Sequence, residues 1–575
     1  MIVLGLAGAH DHDPSAAIIV DGDVAAALEE ERLSRETHAR GQLPIESARY
    51  CLDAAGVGAK EIDVVAFPSA PVAFGGPARR HYARRHAHAP HLALAALLDG
   101  SRNFRHVRAR VREASDALGI DWRRTELVPV EHALAHASSA YHFAGFAGKT
   151  AIATFDGGSD HATASFAIGD AGRIATFAAL YSPDSIAGLY GSMTEYLGFA
   201  KLDGEERASE MAARGDAARV DLSRLVARRG AGSFEIDTRY VNAAGSRRWQ
   251  QGGAAFSFGR ELVSRLGPRR DGNRATAADF DCAAALQRLY EDVCLELIDH
   301  HLGATLRETG QLVLAGGGAL NAQLNRRILA RDDVRRLFVP PAPGDAGTAL
   351  GAAAHVAAAR GDRPKPMRHA YLGPGFSTAQ CIEVLEVRSE RPRWRRLADV
   401  ADEAAQIITA GHPLAWFQGR MELGPRALGA RSVLGDPNAP GITERIAGQL
   451  GIRDRWRPIG ASALERLAPE LTGSAHASPF MSATFDVAER WRGRISECVR
   501  SDGSVRLHTV TREVSPRYYA LLEALERRTG KGVVLNVPLC RDREPIVCSP
   551  ADALHLFYGS SLQYLVLEDL LVTKA

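Results

Sequence analysis

The chain has 575 residues, 46% of them hydrophobic and 24% charged, with a net charge of +2. That length exceeds a single core, so two or more domains are expected, and the balanced charge leaves no basic field for nucleic acid. Seven cysteines, odd in number and free of any zinc spacing, fit reduced, buried thiols in a cytoplasmic protein. The opening run MIVLGLAGAH lacks the basic region of a signal peptide, and no window reaches the ~18 apolar residues of a membrane span, so no membrane is expected.

Residues 2–8, IVLGLAG, read as a strand ending in the polar turn HDHDPSAA. AAIIVDGDVAAALEEERLSR reads as a hairpin about Asp21 and Gly22, because Asp-Gly suits a two-residue turn. A strand that ends in a small-residue turn and enters a hairpin is how an actin-like ATPase fold opens, the turn approaching nucleotide phosphates. Residues 44–58 carry an amphipathic helix pattern, and EIDVVAFPS a strand. Residues 77–115 are rich in Arg and His. A metal-binding tract is conceivable there, but the arginines would repel a cation, so a solvated helix face is expected.

Residues 125–141, TELVPVEHALAHASSAY, predict a strand and then a helix bearing His132 and His136. Positions four apart share one helix face. Two imidazoles there can reach one cation, and a carboxylate from a nearby strand end can add a third ligand; imidazole suits iron, zinc and similar metals. A pair of ordinary core histidines would read the same way. KTAIATFDGGSDHATASFAIG comes next as strand, acidic glycine turn with Asp156, and return strand. It repeats the layout of residues 1–22, as the two halves of an actin-like fold do.

Residues 276–307 predict a long helix. QLVLAGGGALNAQLNRRIL is a buried strand, a glycine turn and a helix, where free backbone N–H groups and the helix dipole suit an anion. LFVPPAPGDAGTALGAAAHVAAA places Asp345 at a helix start, either as an N-cap or facing the histidines. Residues 366–395 read as a linker between domains at 1–365 and 396–575. Beyond it, LADVADEAAQIITAG is a helix, HPLAWFQG a strand, and GRMELGPRALGARSVLGDP sets Arg420, Arg426 and Arg431 among glycines. Further arginines lie in IRDRWRPIGAS, SDGSVRLHTV and VVLNVPLCRDREPIV. Guanidinium forks match phosphate oxygens, so a polyanion is expected here.

Taken together, HDPSAA (12–17), EEERLSRETH (29–38), VEHALAHASSAY, the Asp156–Gly157 turn, TEYLGF (194–199), GGGALN, PGDAG, GRMELGPRALGARS and DGSVR resemble the carbamoyltransferases that modify antibiotics and nodulation factors, almost end to end. The resemblance implies an α/β fold: a duplicated actin-like (Kae1-like) domain followed by a smaller α/β YrdC-like domain. It implies that the smaller domain makes carbamoyl adenylate from ATP, with Mg, and carbamoyl phosphate. The larger one then passes the carbamoyl group to a hydroxyl of a small-molecule natural product. A metal, typically Fe(II), is implied at His132, His136, Asp156 and Asp345. Gly157, Gly316, Gly317, Gly318 and Asn321 are implied to hold nucleotide in the larger domain, and Arg420, Arg457 and Asn536 in the smaller. Catalytic roles fall to His12, which could take the acceptor proton, and to Arg426, Arg453 and Arg506. A homodimer is plausible on the same ground.

The match departs in the smaller domain. GIRDRWRP stands where the family has KxRExFRP, with Gly451 in the lysine position and Arg453 and Arg457 kept. LNVPLC stands for LNTSFN: Asn536 is kept, Pro538 replaces a serine and Cys540 an asparagine, and Arg543 replaces a glycine. Losing a charge and two donors at a polyphosphate site would cost binding energy. In the larger domain Arg207 stands for a lysine, Glu210 for a glycine and Asp160 for a glutamate. Three readings remain: an active carbamoyltransferase with Arg455 or Arg541 compensating, an adenylate-dependent acyl transferase with another donor, or a non-catalytic nucleotide- or metal-binding homologue whose site has decayed. Four intact ligand residues oppose the last; Arg426, Arg453, Arg506 and Asn536 favour the first. Acceptor-lining loops are expected near 70–110 and 225–275, acidic for an aminoglycoside and apolar for a macrolide.

Overall fold

A computed structural model describes residues 1–574 except 9–11, 92, 95–101, 158–161, 231, 242–248, 252–253, 272–273, 388–391 and 453–458, and the backbone alone at 102, 249–251 and 254–255. Asp160, Arg453, Arg455 and Arg457 therefore lie outside the described residues. The chain divides into two units, Met1–Ala25 with Gly41–Pro366 and Ala26–Arg40 with Met367–Ala575.

The first unit begins with β1 (Ile2–Ala7), β2 (Ser15–Val20) and β3 (Asp23–Glu29), the last of which continues into the second unit. Asp21 (φ 49°) and Gly22 (φ 83°) both take the left-handed region, the turn geometry that joins antiparallel strands with their natural twist. β4 (Val64–Phe67) and β5 (Glu126–Pro129) complete a sheet in the order β3-β2-β1-β4-β5. The next strands are β6 (Thr150–Phe155), β7 (Ala162–Asp170) and β8 (Arg173–Tyr181), then two hairpins, β9 (Val226–Gly230) with β10 (Ser233–Ile236) and β11 (Trp249–Gln251) with β12 (Ala254–Phe256), then β13 (Gln311–Ala315) and β14 (Arg336–Phe338). The second sheet runs β14-β13-β6-β7-β8, which is the first order repeated. β6 pairs antiparallel with β7 and parallel with β13, as β1 pairs antiparallel with β2 and parallel with β4. This is the duplicated layout of the actin-like fold. Every residue of β6 is buried, as a central strand covered on both faces requires.

Five helices of this unit carry or brace its candidate residues: α1 (Pro77–Arg85), α2 (His132–Tyr141), α3 (Ala277–Thr309), α4 (Ala322–Leu329) and α5 (Thr348–Ala359). α2 packs on β6, β7 and β13, α5 packs on β1, β2 and β4, and the two helices pack on each other. Small side chains permit that close approach: a Cβ on Gly351 would lie 1.9 Å from the Ala135 carbonyl oxygen. α3 runs for 33 residues from a Thr276/Asp279 capping box to Gly310 in the left-handed conformation.

The second unit is built on one nine-stranded sheet. Its strands are β15 (Arg393–Arg396), β16 (Leu414–Phe417), β17 (Arg431–Gly435), β18 (Gly460–Leu464), β19 (Thr484–Asp486), β20 (Ser504–Val510), β21 (Val533–Pro538), β22 (Tyr564–Leu567) and β23 (Leu570–Thr573), in the order β15-β23-β22-β16-β17-β21-β18-β20-β19. Helices Val400–Thr409 and Pro516–Thr529 pack together over a core that includes Trp416, Tyr518, Leu521 and Val566. Residues 26–40 belong here because their polar side chains bond within this unit. Glu29 accepts from the Gly424 N–H (2.7 Å), Arg35 donates to the carbonyls of Pro545 (2.7 Å) and Ile546 (2.6 Å), and Thr37 donates to that of Arg543 (2.8 Å). The stretch 366–395 carries the helix Thr378–Glu386, started by a Ser377/Gln380 capping box. All seven cysteines are buried, and none is in a disulfide. Among the described residues no helix is long and apolar enough to cross a membrane.

Candidate functional site

The two sheets present equivalent strand ends. The turn after β1 carries His12, and the turn after β6 carries Asp156; α2 brings His132 and His136, and the short turn before α5 brings Asp345. Ligand atoms of His132, His136, Asp156 and Asp345 all lie within 4.8 Å of one another. The two Nε2 atoms are 3.0 Å apart, and each is 3.4 Å from Asp345 Oδ1. The Asp156 oxygens stand 3.7 Å from His132 Nε2 and 3.8 Å from His136 Nε2. The Asp345 carboxylate, at the start of that turn, is directed at the histidines.

Backbone groups hold the rings in place. His132 Nδ1 faces the Pro68 carbonyl (3.3 Å) and His136 Nδ1 that of Pro343 (3.1 Å). A carbonyl only accepts, so each Nδ1 is the protonated nitrogen and each Nε2 turns inward. Two imidazole lone pairs and two carboxylates then converge on one point, an arrangement that requires positive charge at its centre. Borderline N and O donors of this kind suit a divalent transition metal. The electrostatics agree. Burial opposes a charge on His132, but Asp156 and Asp345 outweigh it and hold its proton well above the ordinary histidine value. Burial and the neighbouring Asp345 push Asp156 upwards, yet the two histidines bring it down to about 2. Burial likewise opposes ionisation of Asp345, and His132, His136 and His12 hold it well below the carboxylate range.

The glycine turn after β13 closes on the same point. Gly316 sits at φ +85° with its Cα so close to β6 that a Cβ would lie 2.2 Å from the Phe155 carbonyl oxygen; no other residue fits there. Its N–H donates to the Pro343 carbonyl (2.8 Å), and the Gly317 N–H approaches Asp156 Oδ1 (3.4 Å). A side chain at Gly157 would meet nothing within 4 Å, whereas one at Gly318 would strike the Tyr290 hydroxyl. Asn321 caps α4 through the Leu324 N–H (3.0 Å) and pairs with Gln287 (2.9 and 3.0 Å). His12 Nδ1 contacts Asp13 (2.9 Å), leaving Nε2 towards Asp345 at 3.8 Å.

In the second unit, Arg506 and Asn536 share one row across three strands, each opposite Gly460 of β18. Directly opposed residues point to the same face. Asn536 Nδ2 donates to the Ala427 carbonyl (2.9 Å), which brings the buried Arg426 beside that row. Arg420 donates to the carbonyls of Gly373 (3.0 Å) and Leu372 (2.7 Å). Arg431, grouped by sequence with the phosphate-type arginines, serves the core instead. It is fully buried, stacks 3.6 Å over Phe417, and bonds the carbonyls of Gln418, Gly419, Ala430, Pro374 and Cys548. Gly451 lies at φ +70°, just beyond the helix Ile442–Gln449, a conformation in which a lysine would be strained. Arg543 holds φ +60° where the family resemblance has glycine. Pro538 ends β21, and Arg541 packs on Gly559 at the end of the helix Pro550–Tyr558. The carbonyls of Pro68 and Pro343 were invisible to a reading by residue type, because a main-chain acceptor has no signature in sequence.

Two repeated sheets with a four-residue His/Asp centre at their strand ends define an α/β protein of actin-like layout with a candidate metal site. Residues 2–354 match the family model described as carbamoyltransferase N-terminus, and residues 405–574 match that of the carbamoyltransferase C-terminus. The chain belongs to the carbamoyltransferase family and is a carbamoyltransferase. It is 31% identical to the uncharacterised protein sll1178 of Synechocystis sp., over 100% of this chain and 96% of that one. Nodulation protein NolNO of Sinorhizobium fredii is 32% identical over 98% of this chain and 79% of its own length. Nodulation protein NolO of Bradyrhizobium diazoefficiens is 32% identical over 77% of this chain and 79% of its own.

Proposed function

We propose that this carbamoyltransferase works by way of ATP: carbamoyl phosphate is hydrolysed by water to carbamate and phosphate, the carbamate oxygen bonds to the α-phosphorus of ATP as pyrophosphate leaves, giving carbamoyl adenylate in the second unit, and the first unit transfers the carbamoyl group to a hydroxyl of a small-molecule natural product. The observation that carries this reading is the convergence of His132, His136, Asp156 and Asp345 within 4.8 Å beside the glycine turn. A divalent metal such as Fe(II), when bound, supplies positive charge that polarises phosphate oxygens and anchors the nucleotide. His132 and His136 would hold it through Nε2, and Asp156 and Asp345 through carboxylate oxygens. The glycine turn at Gly316, Gly317 and Gly318 lies beside that centre and would hold the nucleotide on the same side. As the acceptor oxygen bonds to the carbamoyl carbon and the bond to AMP breaks, His12 receives the hydroxyl proton at Nε2. Arg426, Arg506 and Asn536 orient the donor in the second unit, where Arg453 and Arg457 of the same motif set would add charge. Seven buried cysteines outside any disulfide support a reducing, cytoplasmic setting.

Two measurements test the proposal. Incubation with ATP and carbamoyl phosphate is expected to release pyrophosphate only when both are present. No release from protein that retains its metal overturns the donor assignment and favours another activated acyl group, in keeping with Gly451 and Pro538. His136→Ala is expected to abolish metal loading, read as metal per chain; an unchanged content overturns the ligand set.

A further inference from the structure

EEERLSRETH (29–38) packs within the second unit, against the loop 419–431 that carries Arg426. Glu29 and Arg32, each 4% exposed, grip one residue of that loop by both of its main-chain groups. Glu29 Oε1 accepts from the Gly424 N–H (2.7 Å), and Arg32 Nη2 donates to the Gly424 carbonyl (3.0 Å). The short helix Glu31–Ser34 sets the spacing of this grip, and Arg32 is itself pinned by Glu29 (3.4 Å) and Glu31 (3.1 Å). Burial raises the Glu29 carboxyl above its ordinary value, and Arg32 partly offsets that.

Gly424 needs partners from outside the loop. It sits at φ +99°, a conformation open to glycine, and glycine has the most backbone freedom to lose. Pro425 follows, with its φ fixed and no N–H to offer, and Arg426 comes next. The other side of Arg426 is held by side chains too. The Ala427 carbonyl accepts from Asn536 Nδ2 (2.9 Å) and the Leu428 carbonyl from the Tyr371 hydroxyl (2.6 Å). Glu422 Oε1 accepts from the N–H groups of Leu428 (2.7 Å), Ala430 (3.2 Å) and Arg431 (3.2 Å). On the N-terminal side the same work falls to Glu29 and Arg32, 395 and 392 residues earlier in the chain than Gly424. Buried ionic groups are a costly way to hold a segment, since apolar side chains of similar size would do so as well or better. What Glu29 and Arg32 add is a fixed position and direction for one peptide.

We propose that Glu29 and Arg32 are positioning residues for Arg426: by clamping Gly424 they fix the approach of that guanidinium to the phosphate of the donor, without touching the donor themselves. The function given to Arg426 rests on the carbamoyl-adenylate reading; the clamp on the loop does not. The test compares four variants of the full chain. Glu29→Met keeps the side-chain length and removes the acceptor, and Glu29→Gln keeps an oxygen for the Gly424 N–H. Thr37→Ala loosens the same segment elsewhere, at its bond to the Arg543 carbonyl (2.8 Å). The fourth joins Glu29→Met to Arg426→Ala. Hydrogen exchange across 419–431 is expected to quicken roughly tenfold or more in Glu29→Met and to match wild type in Glu29→Gln and Thr37→Ala. In pyrophosphate release, kcat/KM for carbamoyl phosphate should fall roughly tenfold or more in Glu29→Met, recover in Glu29→Gln and hold in Thr37→Ala. The double variant should be no worse than Arg426→Ala alone, because the two residues act as one. Exchange or activity that ignores Glu29→Met, no recovery in Glu29→Gln, an equal loss in Thr37→Ala, or a double variant that loses the full product of the single effects overturns the proposal. Where Glu29→Met does not fold, Arg32→Met, which releases the Gly424 carbonyl and keeps the Glu29 bond, is held to the same outcomes. Faster exchange in Glu29→Met, with no pyrophosphate release from wild type, leaves the clamp standing and removes the donor reading alone.

Discussion

Single side chains show how far identity and role can part. His132 and His136 were visible as a pair, yet their spacing by itself favoured ordinary surface or core histidines. Their orientation settles what they present: Pro68 and Pro343 take the Nδ1 protons, so both Nε2 atoms face Asp156 and Asp345. Arg431 shows the reverse, because its glycine-rich setting resembles a phosphate turn while burial turns its guanidinium onto five carbonyls. Burial is decided by the whole fold and leaves no local mark. The buried His508 illustrates a consequence. Its Nδ1 bonds Ser462 (2.9 Å), and burial pushes its pKa down to about 3. The unfolded chain binds a proton there near the ordinary value of about 6.5. Stability from the neutral ring is therefore complete above about pH 6.5 and is lost as pH falls towards about 3. The slope is at most about 1.4 kcal/mol per pH unit. His508→Phe is expected to flatten the fall in the second unit's urea midpoint between about pH 7 and about pH 5, at a cost of about 1 kcal/mol for the lost bond. An undiminished fall would assign the acid sensitivity to other groups.

At the scale of elements, periodicity and caps carried most of the reading. The hairpin at Asp21 and Gly22, the strand at 150–155, and the long helix opened by Thr276 and closed by Gly310 all arise from local rules. The Ser377/Gln380 signature is equally local, and it starts a helix inside a stretch whose Pro and Gly content reads as linker. Asn321 separates two roles that one residue type can fill. It was assigned to nucleotide by resemblance, and its side chain caps α4 and pairs with Gln287. Asn321→Ala is expected to destabilise the first unit by about 1 kcal/mol, and Asn321→Asp, which keeps the cap, by less than half of that. Thermal melts check this. Equal stability of Asn321→Ala and wild type, with nucleotide binding lost, would return the residue to the nucleotide.

At the scale of the molecule, all four proposed metal ligands belong to the first unit, on α2, after β6 and before α5. A ligand that binds only the folded state stabilises it by mass action. Stripping the metal with a chelator is therefore expected to lower the first unit's thermal midpoint and leave the second unit's unchanged. A metal present at one hundred times its dissociation constant would account for about 2.7 kcal/mol. Midpoints that ignore the chelator would count against the centre. Local pattern in the sequence determined the repeated strand–turn–strand layout, the candidate ligands and the arginine-rich second half, because alternation, turn chemistry and residue type act over a few neighbours. Tertiary structure alone decided that β13 and β14 join β6, that residues 26–40 bond within the second unit, and that the Asp345 carboxylate faces two histidines more than two hundred residues away. It also decided which arginines are core, and that His81 meets Asp184 across 103 residues of chain. Those facts depend on long-range register and on burial, which the whole chain sets together and no short stretch encodes.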